Sequence, residues 1–165
     1  MIKLKEISSH SVAMILLFLF SNQCFADFHL TSPKGWDRVD DITQLPKTVE
    51  CLYIGTGKST FRPTLNVALE ATNMELNEYF AAAKVYHEKE PESHCQELGI
   101  IKTKAGDAKI LQIDRASGWG PVRFIQASII LDQTAYVITG TCLREEFGKF
   151  CPLFFEAIQS FQVDK

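Results

Sequence analysis

The fold is decided by the stretch from Arg123 to Phe161, which reads RFIQASIILDQTAYVITGTCLREEFGKFCPLFFEAIQSF. It consists of two apolar segments about a short turn, followed by a segment that reads as a helix. The first segment carries Ile125 and Ala127 on one face and Phe124 on the other, so both faces are apolar. Strands that are apolar on both faces lie inside a covered sheet. The stretch therefore predicts two central strands and a helix that supplies part of their cover.

Outside this stretch, short apolar segments bounded by glycine, proline and other turn residues predict further strands. The connections between them are short, which suits antiparallel pairing. The predicted order is β-β-β-α-β-β-β-β-α, which indicates an α+β sandwich. The predicted outer strands are Phe28 to Leu30, Thr48 to Ile54, Leu65 to Ala71, Leu98 to Thr103 and Ala108 to Arg115.

Two helices are predicted. Thr72 and Glu75 fit a capping box at the start of the first helix, and Pro91 ends it. Its apolar stripe consists of Leu76, Tyr79, Phe80, Ala83 and Tyr86. Proline is acceptable at the first helical position. We therefore expect the closing helix from Pro152 to Ser160, after a looser turn over Glu145 to Phe150.

Residues 1–26 have the pattern of a secretory signal peptide. Lys3 and Lys5 form a basic start, Val12 to Phe20 is apolar, and Cys24-Phe25-Ala26 suits a cleavage site. The apolar run of nine residues is shorter than the roughly 20 that span a bilayer. We expect cleavage, no membrane span afterwards, and a protein that is periplasmic or secreted. An uncleaved anchor is the alternative.

Residues 27–165 have the length of a single domain with a sizeable core. The whole chain carries 17 Lys and Arg against 20 Asp and Glu. This mildly acidic balance gives no electrostatic footprint for a nucleic-acid partner.

Four cysteines follow residue 26, and an even number in an exported protein favours disulfides. Cys142 ends a strand, and Cys151 lies nine positions later near the closing helix. We therefore predict a local Cys142–Cys151 bridge, which leaves Cys51 to pair with Cys95. Four buried free thiols are the alternative.

Several motifs resemble the PsbP-like family. The opening Phe-x-Leu-x-x-Pro-x-Gly-Trp, from Phe28 to Trp36, is similar to the start of its members, as is Glu78-Tyr79 in the first helix. The resemblance continues at the end of the chain, over Tyr136-Val137-Ile138-Thr139-Gly140, Phe147, Phe150, Pro152, Phe154, Ile158 and Ser160-Phe161. It covers most of residues 27–165.

The resemblance implies an α-β-α sandwich, in which helices cover both faces of a mainly antiparallel sheet. The family includes lumenal photosystem subunits, a Ran-binding nuclear protein and bacterial envelope proteins such as DcrB. These resemble adaptors and accessory subunits. The resemblance therefore implies a protein that acts through contacts with other proteins.

The loop Ser117-Gly118-Trp119-Gly120-Pro121 is the main candidate for a partner contact. A tryptophan between glycines at a loop tip has little local reason to be buried, and exposed loop aromatics often anchor partners. The alternative is that Trp119 folds back over the sheet edge. We expect Trp36 in the core.

His87 and His94 are candidate metal ligands, with Glu88, Glu90 or Glu92 as oxygen donors. Their spacing of seven differs from the i, i+4 spacing of a helical metal pair. We therefore predict no metal and no cofactor.

No pattern commits the chain to a reaction. The stretch from Gly55 to Thr60 is similar to a phosphate loop. However, the motif requires a glycine five positions before Gly57, where this chain has Leu52, and it requires a helix directly afterwards, where this chain has Phe61-Arg62-Pro63. Gly-x-Ser-x-Gly is absent from the sequence. The sequence therefore predicts a non-enzymatic accessory or binding protein of the bacterial envelope, whose partner is an envelope protein or assembly. The alternative is a periplasmic carrier of a small ligand or metal.

Overall fold

In the residues that the structure describes, 27–41, 43, 45–58 and 60–164, the computed structural model contains nine strands, two α-helices and one 3-10 turn. The predicted signal peptide, residues 1–26, lies outside this range. The strands are β1 (Phe28–His29), β2 (Asp37–Arg38), β3 (Val49–Ile54), β4 (Thr64–Ala71), β5 (His94–Lys102), β6 (Asp107–Arg115), β7 (Val122–Leu131), β8 (Thr134–Leu143) and β9 (Gln162–Val163). The helices are α1 (Leu76–Glu88) and α2 (Phe147–Ser160), and the 3-10 turn Arg144–Glu146 leads into α2.

Seven of these strands form one antiparallel sheet in the order β2-β3-β4-β8-β7-β6-β5. The predicted pair, β7 and β8, lies near its centre and is paired over its whole length. Helix α1 packs on β5, β6 and β7, whereas α2 packs on β7 and β8. The helices contact alternate side chains of the strands and so cover opposite faces. The predicted α+β sandwich with helices on both faces is confirmed.

A two-stranded ribbon of β1 and β9 lies beside the main sheet. The N–H of Asp164 donates to the carbonyl of Asp27 at 2.8 Å. The His29 ring and the Asp164 carboxylate are in contact at 3.0 Å. Both ends of the described chain are therefore joined.

The face of the sheet under α2 forms one continuous core. Ile125 and Ala127 of β7 and Ile138 of β8 are fully buried there, against Phe154 of α2. The closest approach is at Gly140, where a Cβ would come within 2.5 Å of the Phe154 Cγ. The absence of a side chain at Gly140 therefore sets the distance between α2 and the sheet.

The face under α1 is divided. Side chains of α1 contribute Phe80 to one apolar cluster and Tyr79 to another. Between the clusters lie Gln126, Thr139 and Asn66, which are neighbours across β7, β8 and β4. The first cluster also contains Leu111, Ile113, Val122, Phe124 and Leu143, and the second Val49, Ala68, Ala135 and Val137. The position of α1 therefore depends on polar contacts as well as on apolar packing.

Two hydrogen-bonded contacts hold α1 on the sheet. The Tyr79 hydroxyl donates to Glu70 Oε2 at 2.7 Å, and burial raises the pKa of both groups. At the other end, Arg115 Nη2 donates to His87 Nδ1 at 2.8 Å. The remaining ring nitrogen, Nε2, then donates to Gln126 Oε1 at 3.3 Å. Burial, and then the neighbouring Arg115 cation, lower the pKa of His87 to about 4.

The predicted capping box is wrong. Helix α1 begins at Leu76 with Glu75 as its N-cap, and no side chain among the described residues caps it. Thr72 Oγ1 accepts from the Met74 N–H at 3.1 Å instead. Thr72 therefore turns the chain out of β4 before the helix can begin.

Two element boundaries also differ from the prediction. Strand β5 begins at His94, because Gly99, with φ at +98°, allows a bulge through which the strand continues. Helix α2 begins at Phe147, which places Pro152 inside it. The missing N–H of Pro152 leaves the Gly148 carbonyl without a helical donor. Both residues are exposed, so water can replace that hydrogen bond.

All four cysteines in the described residues are free thiols. Cys51 lies on β3 in the core under α2, whereas Cys95 lies on β5 against the Phe80 cluster under α1. Five strand spacings of about 4.8 Å separate β3 from β5, far beyond the reach of a disulfide. The predicted Cys51–Cys95 bridge is incompatible with this fold.

The other predicted bridge stays a prediction. Cys142 lies opposite Arg123 across β7 and β8. The Arg123 guanidinium lies 4.7 Å from the centre of the Phe147 ring, which is one helical turn before Cys151. Burial raises the pKa of Cys142 to about 12. Cys142 and Cys151 therefore both lie close to Arg123, in the region where β8 meets α2.

We expect Gly140→Ala to lower the free energy of unfolding by about 1–3 kcal/mol, because the new methyl group pushes the Phe154 ring away from the sheet. Urea denaturation measures the change. Gly148→Ala is the matched control, since its added Cβ would meet no described atom within 4 Å apart from its chain neighbours and the backbone of α2 itself. That variant should be neutral or stabilise by up to about 1 kcal/mol. Equal destabilisation by the two variants would contradict the role of Gly140.

We expect His87 to make stability depend on pH. Its pKa is lower in the folded chain, about 4, than in the unfolded chain, about 6.5. The unfolded state therefore binds the proton more readily, and stability falls as the pH drops from about 6.5 to about 4. Urea denaturation between these values should show a loss of about 2–3 kcal/mol that His87→Gln removes.

The control for this measurement is His94→Gln, because His94 is exposed. It should retain the pH dependence of the original chain. A His87→Gln variant with an unchanged pH profile would show that the imidazole is not held neutral.

Candidate functional site

The turn between β6 and β7 holds Trp119 at its tip. The N–H of Trp119 donates to Ser117 Oγ at 3.2 Å, and Ser117 Oγ donates to the Gly120 carbonyl at 2.5 Å. The N–H of Gly120 donates back to the Ser117 carbonyl at 3.1 Å, with φ of Gly120 at +108°. These bonds fix the turn, while Trp119 stays 39% exposed. The tip therefore presents an aromatic side chain on an ordered loop.

Phe61, from the loop between β3 and β4, supports one side of Trp119. The two rings meet edge to face, with centroids 5.7 Å apart and an angle of 62° between the planes. Phe61 in turn packs against the cluster that contains Val122 and Leu143. We call Phe61 together with the turn Ser117–Pro121 the Trp119 tip. Its two aromatic rings come from loops far apart in the sequence.

Glu146 holds the Phe61 loop in place. Its side chain is 4% exposed, and Oε1 accepts from the N–H of Lys58 at 2.9 Å. Arg62 Nε donates to the Gly55 carbonyl at 2.9 Å, which closes the loop at its base. Oε2 of Glu146 has no hydrogen-bond partner among the described residues. A buried carboxylate therefore fixes the support of Trp119 from the start of α2.

Trp36 closes the base of the same loop. Its ring packs edge-on against Phe150 and Phe154 at centroid distances of 6.0 and 6.2 Å. A Cβ at Gly55 would come within 2.8 Å of Trp36 Nε1. Trp36, expected in the core, is partly buried and packs against the core under α2. The glycine-rich stretch that is similar to a phosphate loop is thus a packed connection between β3 and β4.

The chemistry of the Trp119 tip suits contact binding. It offers two aromatic rings and backbone polar groups, and none of its side chains carries a charge. Such a surface can bury apolar area against a partner. It lacks an acid or base with which to move a proton.

The candidate metal ligands are not brought together. His94 is opposite Asp114 on β5 and β6, whereas Cys95, the next residue, faces the cluster under α1. His94 therefore lies on the α2 face, and His87 lies on the α1 face with both ring nitrogens already engaged. Within the described residues no group of three or more potential ligands could hold a metal ion. His87 and His94 cannot share an ion in this fold.

A second polar feature lies on the α1 face. Asn66, Thr139 and Thr141 are on the adjacent strands β4 and β8, with Asn66 directly opposite Thr139. Thr139 and Thr141 are each 8% exposed. These side chains form a polar strip on the α1 face of the sheet.

The sequence alone did not identify Phe61 of the Trp119 tip or Glu146, which supports it. Phe61 is an aromatic residue in an otherwise polar loop, which is a weak signal that the loop is anchored. Glu146 precedes an amphipathic helix, and this position predicts a helix cap, not a hydrogen bond to a distant loop. Only the fold brings them near Trp119.

None of the helices in the described residues is long and apolar enough to cross a membrane. No protein-family model matches the chain, and no curated protein matches its sequence.

Solved structures do match. LpqN, involved in cell envelope biogenesis of Mycobacterium tuberculosis, has a TM-score of 0.64 at 12% identity, over 84% of this chain and 83% of that chain. The cyanobacterial PsbP, CyanoP, from Synechocystis sp. PCC 6803 gives 0.55 at 12% identity, over 90% and 99%. The Ran-binding protein Mog1p of Saccharomyces cerevisiae gives 0.52 at 19% identity, over 82% and 89%.

At such low identities the likeness concerns the fold alone. It confirms the resemblance to PsbP-like proteins at that level: this chain has the α-β-α sandwich fold that PsbP, Mog1 and LpqN share.

Proposed function

We propose that this chain is an exported, non-enzymatic accessory protein of the bacterial envelope, and that it acts by binding another protein through the Trp119 tip. The observation that carries the proposal is an exposed indole on a turn fixed by hydrogen bonds and supported by Phe61. Tryptophan is over-represented among the residues that dominate binding energy. An ordered turn also lowers the entropy that binding must overcome.

The ionisable groups support a binding role over a catalytic one. A catalytic histidine needs a pKa near the working pH, whereas the pKa of His87 is lowered to about 4. A nucleophilic cysteine needs a lowered pKa, whereas burial raises that of Cys142 to about 12. Both shifts favour neutral, packed side chains.

The comparisons support the same role by analogy. LpqN is involved in cell envelope biogenesis, and Mog1p binds Ran. Residues 1–26 carry the signal-peptide pattern, which supports export. We infer a periplasmic or secreted location and an envelope protein or assembly as the partner.

The alternative is a carrier of a small ligand. The His87–His94 version of this idea lacks a site, because the two side chains lie on opposite faces of the sheet. The polar strip of Asn66, Thr139 and Thr141 is the observation that favours a carrier of a polar molecule.

We expect a photo-crosslinking amino acid at position 119 to capture one discrete envelope protein in living cells. The same amino acid at position 85 is the control, because Val85 is 51% exposed on the outer side of α1. With that partner purified, Trp119→Ala should weaken binding about thirtyfold, the equivalent of about 2 kcal/mol. Val85→Ala should change it less than about threefold.

Equal capture from positions 119 and 85, or unchanged affinity of Trp119→Ala, would remove the tip from the proposal. A small molecule retained in native mass spectra, with no captured protein, would favour the carrier.

We expect the chain recovered from the periplasm of a bacterial host to begin at Asp27, because signal peptidase cuts after small residues. A Cys142–Cys151 bridge should leave two thiols open to alkylation in denaturant, and reduction should open all four. Intact mass measures both results. A retained leader would contradict export by cleavage, and four open thiols before reduction would contradict the bridge.

A further inference from the structure

Strand β5 forms one edge of the main sheet and pairs only with β6 among the described strands. It is nine residues long, whereas the strand at the opposite edge, β2, has two. The outer side of β5 therefore presents a long row of free backbone N–H and C=O groups. Proteins usually shorten, charge or cover such an edge, because it can pair with another chain.

Apolar side chains accompany this edge. Leu98 is 40% exposed and Ile100 is 58% exposed. Ile100 lies opposite Lys109, whose ammonium group lies over the Phe80 ring, so Ile100 is on the α1 face. Beyond the bulge, the segment from Gly99 to Lys102 pairs regularly with β6. A second strand laid along this segment would gain hydrogen bonds and apolar contact together.

On β5, the charges on the two sides of Ile100 are opposite. On the α1 face, Glu97 lies before Ile100 and pairs with Lys84 at 2.8 Å. Lys102 lies after Ile100 and pairs with Asp107. The side chains of Glu97 and Lys102 remain 48% and 83% exposed, so each can take a further partner. An antiparallel copy of β5 would bring its Lys102 to Glu97 of the first copy.

We propose that β5 pairs antiparallel with β5 of a second copy of this chain, with Ile100 opposite Ile100, so that the two seven-stranded sheets join into one. A twofold axis then passes between the two isoleucines. Glu97 of each copy lies beside Lys102 of the other. Lys84 and Glu97 of one copy are then followed by Lys102 and Asp107 of the other, so that positive and negative side chains alternate across the interface.

This dimer is independent of the Trp119 contact, because no residue of β5 belongs to the Trp119 tip. The surface is narrow, so we expect association in the micromolar range, about 1 to 100 μM. Salt should weaken it, since both cross-copy ion pairs are exposed.

Sedimentation velocity of the full chain over this concentration range tests the proposal. Ile100→Lys places like charges on the twofold axis and should weaken the dimer at least about tenfold. Lys102→Glu and Glu97→Lys should each do the same, because each homodimer then opposes like charges. An equimolar mixture of these two variants should recover the dimer.

Recovery of the dimer in the mixture would show that the single variants are folded and lose only the contact between copies, because mixing does not restore the ion pairs within each chain. Lys34→Glu is the matched control: it reverses an exposed charge just before β2, at the opposite edge of the sheet, and should leave the dimer unchanged. A chain that stays monomeric throughout, or a mixture that recovers nothing, would overturn the proposal. So would a dimer that Lys34→Glu weakens equally.

Discussion

The contact between Gly140 and the Phe154 ring is the constraint on which the rest of the structure depends. It lets α2 approach the apolar α2 face of β7 and β8, and the continuous core forms around it. The start of α2 is thereby fixed relative to the sheet. Glu146 lies just before that start, so the same approach places its carboxylate under the Phe61 loop. A backbone contact in the core thus determines how an aromatic side chain is presented at the surface.

The two faces of the sheet are stabilised by different interactions. Under α2 the core is continuous and apolar, and shape alone specifies the packing. Under α1 a polar strip divides it, and hydrogen bonds of Tyr79 and His87 position the helix. Buried polar groups cost free energy unless they are satisfied, and they then favour one arrangement over others. The α1 face therefore buries less apolar surface than the α2 face, and its hydrogen bonds define the position of α1.

Local patterns predicted seven of the nine described strands, all except β2 and β9, because alternation is a property of neighbouring residues. Helical spacing likewise predicted the buried Tyr79, Phe80 and Ala83 of α1, although Tyr86 of the predicted stripe is exposed. They failed where long-range contacts decide. Thr72 looked like a helix cap, but its hydroxyl serves the turn out of β4. Cys51 and Cys95 could be paired by count, yet they lie on opposite faces of the sheet. Trp119 was found as a candidate from its flanking glycines, while Phe61 and Glu146 become visible only once β3, β6 and α2 are assembled.

The ribbon of β1 and β9 bears on the order in which the chain can fold. His29 and Asp164, which meet in this ribbon, are 135 positions apart in the sequence. The ribbon therefore cannot form until β9, the last of the described strands, has been synthesised. Until then the Phe28 ring lacks its contact with Phe161, at a centroid distance of 5.7 Å. Closure of the ribbon is thus a late step, which follows synthesis of the seven strands of the main sheet and of both helices.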